Sequence, residues 1–251
     1  MTQYAANALR ALSQTELITV FSAAHLYKVL RTDRCTGCQQ FGAYLFLLTC
    51  SRCCFNCLEK DARFRAIAFG SLKENFGLKA IPGRRLPTML SLPGKYAGRR
   101  SVKRRFRLVS AFEAYALAKA LYGEATDDAS RPGNAACCRR EWNWRSMLTR
   151  THDAFRGFAS TAFPTLDTGS MLVQSGISCR GCDEFCLREE RNGVNKPGVL
   201  ARRRDRAFSQ AEFEQHKKEC EGIEFLDDLY LRGEMKAAAY ISRLNTVCGR
   251  G

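Results

Sequence analysis

A chain of 251 residues, 45% of them apolar, can hold one ordinary domain or two small ones. Its 40 Lys and Arg against 25 Asp and Glu leave a net charge of +15, which favours an acidic partner and says nothing about fold. No apolar run, the longest being Tyr44 to Leu48, approaches the ~18 residues of a spanning helix, which argues against a membrane partner.

Met1 to Ala11 has neither the basic start nor the apolar core of a signal peptide. The expected location is therefore intracellular, cytoplasm or nucleus, where thiols stay reduced. Thirteen cysteines in such a compartment ask for another explanation, and metal is the usual one.

Residues 1–30 read as helical. His25, in the apolar segment Leu17 to Leu30, is expected to be a core histidine. Residues 31–123 read as a Cys-rich lobe followed by helices, beginning with Cys35-Thr36-Gly37-Cys38. Two residues between cysteines let both thiolates face one ion from a tight knuckle, and Zn²⁺ takes a tetrahedral set of such ligands. The second knuckle can be Cys50 with Cys53 or Cys54 with Cys57.

The preferred pair is Cys54 and Cys57, because a strand over Tyr44 to Leu48 precedes it. A helix expected from Leu58, with Ala62 and Ala66 on one face, would place a thiolate near its positive end. Strand, knuckle and helix in that order are treble-clef-like. Cys50 and Cys53 then remain as buried small hydrophobes or alternative ligands. A RING-like cross-brace needs two complete ligand sets, and six cysteines with no histidine between Arg34 and Lys60 fall short.

Further along, Ser71 with Glu74 and Ser110 with Glu113 have capping-box spacing. The first opens a short helix that Gly77 closes. The second opens a longer one, with an apolar face of Tyr115, Ala116, Ala120 and Leu121. Leu92 to Lys95 reads as a turn and Phe106 to Val109 as a strand. The basic run Arg99, Arg100, Lys103, Arg104, Arg105, Arg107 is a solvated loop or a phosphate-contacting patch.

Residues 124–150 are polar and read as a linker or mobile insert. Trp142 and Trp144 near Arg139, Arg140 and Arg145 either anchor that linker or stack on bases. His152 beside Asp153 reads as a loop pair. Cys137, Cys138 and Cys248 read as free thiols.

Residues 151–222 form the second metal lobe, with Cys179-Arg180-Gly181-Cys182 followed by His216 and Cys220. Ser209 with Glu212 makes a third capping box, and Phe208 with Phe213 its hydrophobic staple. His216 and Cys220, four apart, are expected to project from one face of the helix that Ser209 caps. This is the finger-like Cys-Cys-His-Cys arrangement, with Asp183 to Gln215 as a long insert and Cys186 as a competing ligand. Arg202, Arg203, Arg204 and Arg206 form a second basic run. Residues 223–251 have helical spacing interrupted at Gly233.

No P-loop, G-x-G-x-x-G, H-E-x-x-H or G-x-S-x-G occurs. Each proposed site is closed by four protein ligands, so up to two structural zinc ions are expected and no enzyme activity. A closed site contributes about 10–16 kcal/mol of apparent binding free energy to folding. The expected fold class is α+β: small zinc-stabilised lobes, treble-clef-like and finger-like, with short strands and several capped helices.

Several segments taken in order resemble fungal (ascomycete) F-box domain proteins. They are Leu30 to Cys38, Leu45 to Cys54, Leu86-Pro87-Thr88 through Leu92-Pro93-Gly94, Gly176 to Cys182, and Arg204 to Ser209 leading to His216 and Cys220. The likeness implies a substrate receptor of a cullin-RING ubiquitin ligase, whose F-box binds a Skp-type adaptor while the remainder recruits a target protein. Asn7 to Ser13 resembles the tail of an F-box, and the Leu-Pro-x-Glu opening is absent. Adaptor binding then requires the box to be completed upstream. The resulting expectation is a non-enzymatic, zinc-stabilised interaction scaffold for a target protein, with a nucleic-acid-binding zinc protein as the alternative.

Overall fold

The computed structural model describes residues 5–78, 86–94, 102–122, 155–193, 203–237 and 239. The 124–150 linker, both tryptophans, Cys137, Cys138, Cys248, His152, Asp153, Arg99, Arg100 and Arg202 lie outside them. The fold is mixed helix and small sheet, the α+β class.

The elements run in order α1 (Ala6–Gln14), α2 (Ala23–Leu30), β1 (Tyr44–Phe46), β2 (Ser51–Cys53), α3 (Phe55–Lys60), β3 (Ala66–Ala68), α4 (Leu72–Phe76), β4 (Thr88–Leu90), β5 (Arg107–Ser110) and α5 (Ala111–Tyr122). There follow β6 (Ser160–Ala162), β7 (Thr165–Leu166), β8 (Val173–Gln174), β9 (Ile177–Ser178), α6 (Arg180–Arg191), β10 (Ala207–Phe208), α7 (Gln210–Lys217) and α8 (Glu221–Leu231). One sheet has the strand order β2-β1-β6.

The chain divides into two compact units, each assembled from segments distant in sequence. The first comprises 1–29, 45–51 and 57–161, and the second 30–44, 52–56 and 162–251.

In the first unit β5 is the centre of a three-stranded antiparallel sheet. It pairs Val109 with Ile67 of β3 and with Thr88 of β4. Leu72 and Phe76 of α4 pack with Val109, Ala111, Ala114 and Ala118 in one core cluster. The buried stripe of α5 is thus Ala111, Ala114 and Ala118, while Ala116 and Ala120 are exposed and Leu121 is 46% exposed. That corrects the expected face. The helix is apolar almost all round, so its pattern does not select a side, and small alanines allow the closest approach.

Two local expectations also give way. The helix expected from Leu58 through Ala66 starts earlier, at Phe55, and ends at Lys60. Asp61 stops it by accepting from the Arg63 N–H at 2.9 Å, which caps a 3₁₀ turn over Ala62–Phe64. Ser71 caps nothing, because a 3₁₀ turn (Phe69–Ser71) runs straight into α4 and leaves Ser71 with helical dihedrals. Gly77 does close α4, at φ 70°. Ser110 makes half a box, its Oγ accepting from the Glu113 N–H at 3.3 Å.

His25 is exposed rather than core. Leu26 and Leu30 are the residues α2 buries, and the His25 Nε2 lies 3.1 Å from the Cys50 carbonyl oxygen.

In the second unit β9 and β10 pair antiparallel, Phe208 opposite Ile177. α6 and α8 pack on one another. Gly176 sits against Phe41 and Ala207, where an added Cβ would come within 2.7 Å of Phe41 Cε1. Phe41, Ala43 and Ala207 form a small core there.

The second unit also buries a cation. Arg52 on β2 is fully buried, and its guanidinium donates to the carbonyls of Gly42 (2.6 Å), Phe163 (3.0 Å) and Pro164 (2.7 Å). It lies 4.7 Å from the Phe163 ring centroid. Burial lowers its pKa to about 10, against the opposing field of Asp33.

Candidate metal centres

The first knuckle is a tight hairpin. The Cys35 N–H donates to the Gln40 carbonyl at 2.7 Å, and Gln39 takes a positive φ of 63°. Gly42 leaves room behind it, since a Cβ there would stand 2.6 Å from Arg52 Cγ. The Gly37 N–H points at the Cys35 sulfur, 3.2 Å away, the kind of contact that favours thiolate over thiol.

The second half of the set comes from α3. Cys54 immediately precedes the helix and Cys57 lies in its first turn. Cys35, Cys38, Cys54 and Cys57 bring their sulfurs within 4.8 Å of one another. Cys38 Sγ and Cys54 Sγ are 3.6 Å apart. Chiefly through Cys54, the Cys35 thiol is held down at about 4.

Cys50 and Cys53 join no such group among the described residues. Both are fully buried, and burial alone pushes the Cys50 thiol up to about 12, the behaviour of an inert apolar cysteine.

The second group, Cys179, Cys182, His216 and Cys220, is also within 4.8 Å throughout. Its scaffold differs from the finger outline in a specific way. Cys179 and Cys182 do not sit on a hairpin. Cys179 is the N-cap residue of the twelve-residue α6 and Cys182 lies in its first turn. Nor do His216 and Cys220 share a helix. α7 ends at Lys217, and Cys220 is the N-cap residue of α8. Three of the four donors therefore stand at helix N-termini, where the helix dipole favours a thiolate.

The helix that carries His216 is fixed by its start. Ser209 accepts from the Glu212 N–H at 3.2 Å and Glu212 reaches back to the Ser209 N–H at 3.2 Å, a complete capping box. Phe208 and Phe213 close the staple at 6.2 Å between centroids. His216 lies flat on Phe208, centroids 4.3 Å apart and planes within 15°, which fixes the imidazole's orientation.

Cys179 Sγ and Cys182 Sγ each lie 3.7 Å from Cys220 Sγ, and Cys182 Sγ lies 3.3 Å from His216 Nε2. Sulfurs at 3.6–3.7 Å are far beyond a disulfide bond of about 2.05 Å. They match the about 3.8 Å edge of a tetrahedron built on metal–sulfur bonds of about 2.3 Å. The crowding has an electrostatic consequence. Hydrogen bonds from Cys179 and Cys182 hold the Cys220 thiol far below its ordinary value, and contact with Cys179 and Cys220 raises His216 to about 9. Hydrogen bonds with Cys182 and Cys220, together with burial, push the Cys179 thiol up in turn, so charge is shared unevenly among the crowded donors.

Cys186, one turn beyond Cys182, is buried and stays outside the group. Burial pushes its thiol up. Arg203 pairs with Glu221 at 3.3 Å and Arg204 with Asp205 at 2.9 Å, and Arg206 lies over Phe208 at 4.5 Å. Lys103, Arg104, Arg105 and Arg107 are exposed, with Arg105 donating to the carbonyls of Ser91 and Gln14.

Sequence reasoning missed the supports of these centres: Arg52, Gly42, Gly176, Gly181 and Gly222. A lone charged residue inside the otherwise uncharged Leu45 to Cys54 run is the signal for Arg52. Both centres are closed, four protein donors each, and each can hold a metal ion. No family model, no curated protein and no solved structure matches the chain. No helix of the described residues is long and apolar enough to cross a membrane.

Proposed function

We propose that the chain is a non-enzymatic scaffold that binds a target protein and is held together by two structural zinc ions. The observation that carries this reading is the pair of four-donor groups, one all-cysteine and one three cysteines with a histidine, with sulfur spacings of 3.6–3.7 Å. Soft thiolates in a tetrahedral set select zinc over magnesium or calcium, which prefer oxygen ligands. With all four positions of each site filled by the protein, no position is left at which a metal-bound water could act on a substrate. The segments that resemble fungal F-box proteins support a substrate-receptor role in a ubiquitin ligase, with a Skp-type adaptor bound through a completed F-box. An intracellular site of action, cytoplasm or nucleus, suits reduced thiols.

Elemental analysis of purified protein by plasma mass spectrometry tests the zinc. Two zinc ions per chain, with loss of the fold in chelator, is the expected result. A chain that carries no zinc and stays folded in chelator overturns the reading.

A second reading, a basic zinc protein that binds nucleic acid, draws on the +15 charge and on one observation. Arg203 and Arg188 both lie over Phe185, at 4.0 and 5.2 Å, and Arg188 also lies over Phe225 at 4.8 Å, giving a row of alternating cations and rings. Phosphate contacts make such binding fall steeply with salt. Binding to an oligonucleotide that is flat from low to high salt rules this reading out.

A further inference from the structure

Within the second unit a groove of about 450 Å³ opens beside Cys54 on one side and Cys182 and His216 on the other. Its apolar lining includes Phe41, Ala43, Phe55 and Phe208. Gln40 and Asn56, both exposed, bring side-chain amides to the same groove. That volume takes two or three side chains, far less than a folded surface and more than an ion.

The charges in the groove are not equivalent. Glu212 is engaged inward, by the Ser209 N–H at 3.2 Å and by Arg34 at 3.4 Å. Arg203 is engaged by Glu221. Arg206 is exposed and makes no ion pair among the described residues, yet its guanidinium is not loose, since it is stacked over the Phe208 ring. A positioned arginine of this kind is organised to receive a carboxylate in bidentate fashion.

We propose that this groove binds a short acidic peptide segment of the target, with a carboxylate on Arg206 and a neighbouring apolar side chain against the half-buried Phe55. The inference rests on the scaffold reading above and names the chemistry of its partner. Two features favour peptide over nucleic acid. Phe208 has His216 on its ring at 4.3 Å and Arg206 at 4.5 Å, and is only 1% exposed, so it has no face left for a base. Gln40 and Asn56 each present donor and acceptor, which suits a peptide's N–H and C=O, whereas a phosphodiester oxygen only accepts.

The probe is an array of labelled hexapeptides carrying one aspartate or glutamate next to a leucine, isoleucine or phenylalanine. Matched hexapeptides with asparagine or glutamine in place of the acid, and an oligothymidine, complete the set, and binding to the whole zinc-loaded chain is read by fluorescence anisotropy. Acidic members should bind at least tenfold tighter than their amide counterparts, and Arg206→Glu should remove that preference. Phe55→Ser should weaken acidic and amide members alike. Zinc content is measured on each variant. Acidic peptides binding no better than amides, or equally well to Arg206→Glu, overturn the proposal while two zinc ions per chain leave the scaffold reading standing. Tighter binding of oligothymidine than of any peptide, abolished by Arg206→Glu, assigns the groove to nucleic acid and also overturns it. Absence of zinc from the wild-type chain counts against the scaffold reading itself.

Discussion

Gly181 and Gly222 meet backbone to backbone where α6 and α8 begin. A Cβ on Gly222 would overlap the Gly181 carbonyl, and one on Gly181 would stand 2.6 Å from Ile223 N. Each glycine sits two residues after a cysteine of the second four-donor group, Cys179 or Cys220, so the close approach of the chain sets the distance between the thiols.

Gly222→Ala should therefore lower stability by about 1–3 kcal/mol, the usual range for overpacking, and weaken zinc binding at the second centre. Gly70→Ala is the control, because a Cβ at Gly70 meets nothing within 4 Å. Chelator competition and thermal melts of the two variants check this. Equal behaviour would show that the helices can separate freely.

Serine in place of a ligand should remove one zinc ion and no more. Cys54→Ser and Cys220→Ser are each expected to retain a single equivalent, whereas Cys53→Ser and Cys186→Ser keep two. The latter pair bury a hydroxyl and so lose some stability without losing metal. A stoichiometry of two for Cys54→Ser together with one for Cys53→Ser would transfer the role to the neighbouring cysteine.

The legibility of these ligands came from spacing. Cys35 with Cys38 and Cys179 with Cys182 advertise knuckles because two intervening residues are what the geometry needs. The sequence favours Cys54 over Cys50 because a strand precedes the Cys54 knuckle and a helix is expected to follow it. That helix exists, but it begins at Phe55 and stops at Asp61, whose side chain competes for the Arg63 N–H, a local interaction that apolar periodicity does not register. The same limit hid the break between α7 and α8. His216 and Cys220 have the spacing of one helical face, but the helix ends at Lys217 and Cys220 is the N-cap residue of the next one. Arg52 was illegible for a different reason: its partners are backbone carbonyls of Gly42, Phe163 and Pro164, and any residue has a carbonyl.

Arg52→Met should cost about 3–5 kcal/mol. It strips donors from three carbonyls, two of them in buried bonds. Arg52→Lys should recover part of this, because an ammonium carries charge but lacks the planar fork. Urea denaturation midpoints of the three proteins give the ranking, and a Lys variant less stable than the Met variant would contradict it.

Capping strength offers a comparison inside one chain. Ser209→Ala should cost about 1 kcal/mol, since both bonds of its box are formed. Ser71→Ala should be neutral within about 0.5 kcal/mol, as its side chain caps nothing despite the same spacing to a glutamate. Thermal melts separate the two, and a Ser71→Ala loss matching that of Ser209→Ala would be the contrary result.

Helix initiation is unfavourable because a first turn fixes several dihedrals for one hydrogen bond. In the second centre Cys179, Cys182 and Cys220 occupy those initiating turns of α6 and α8. An ion held by this group would tie its own capture to the start of both helices, and so would lower the cost of nucleating them.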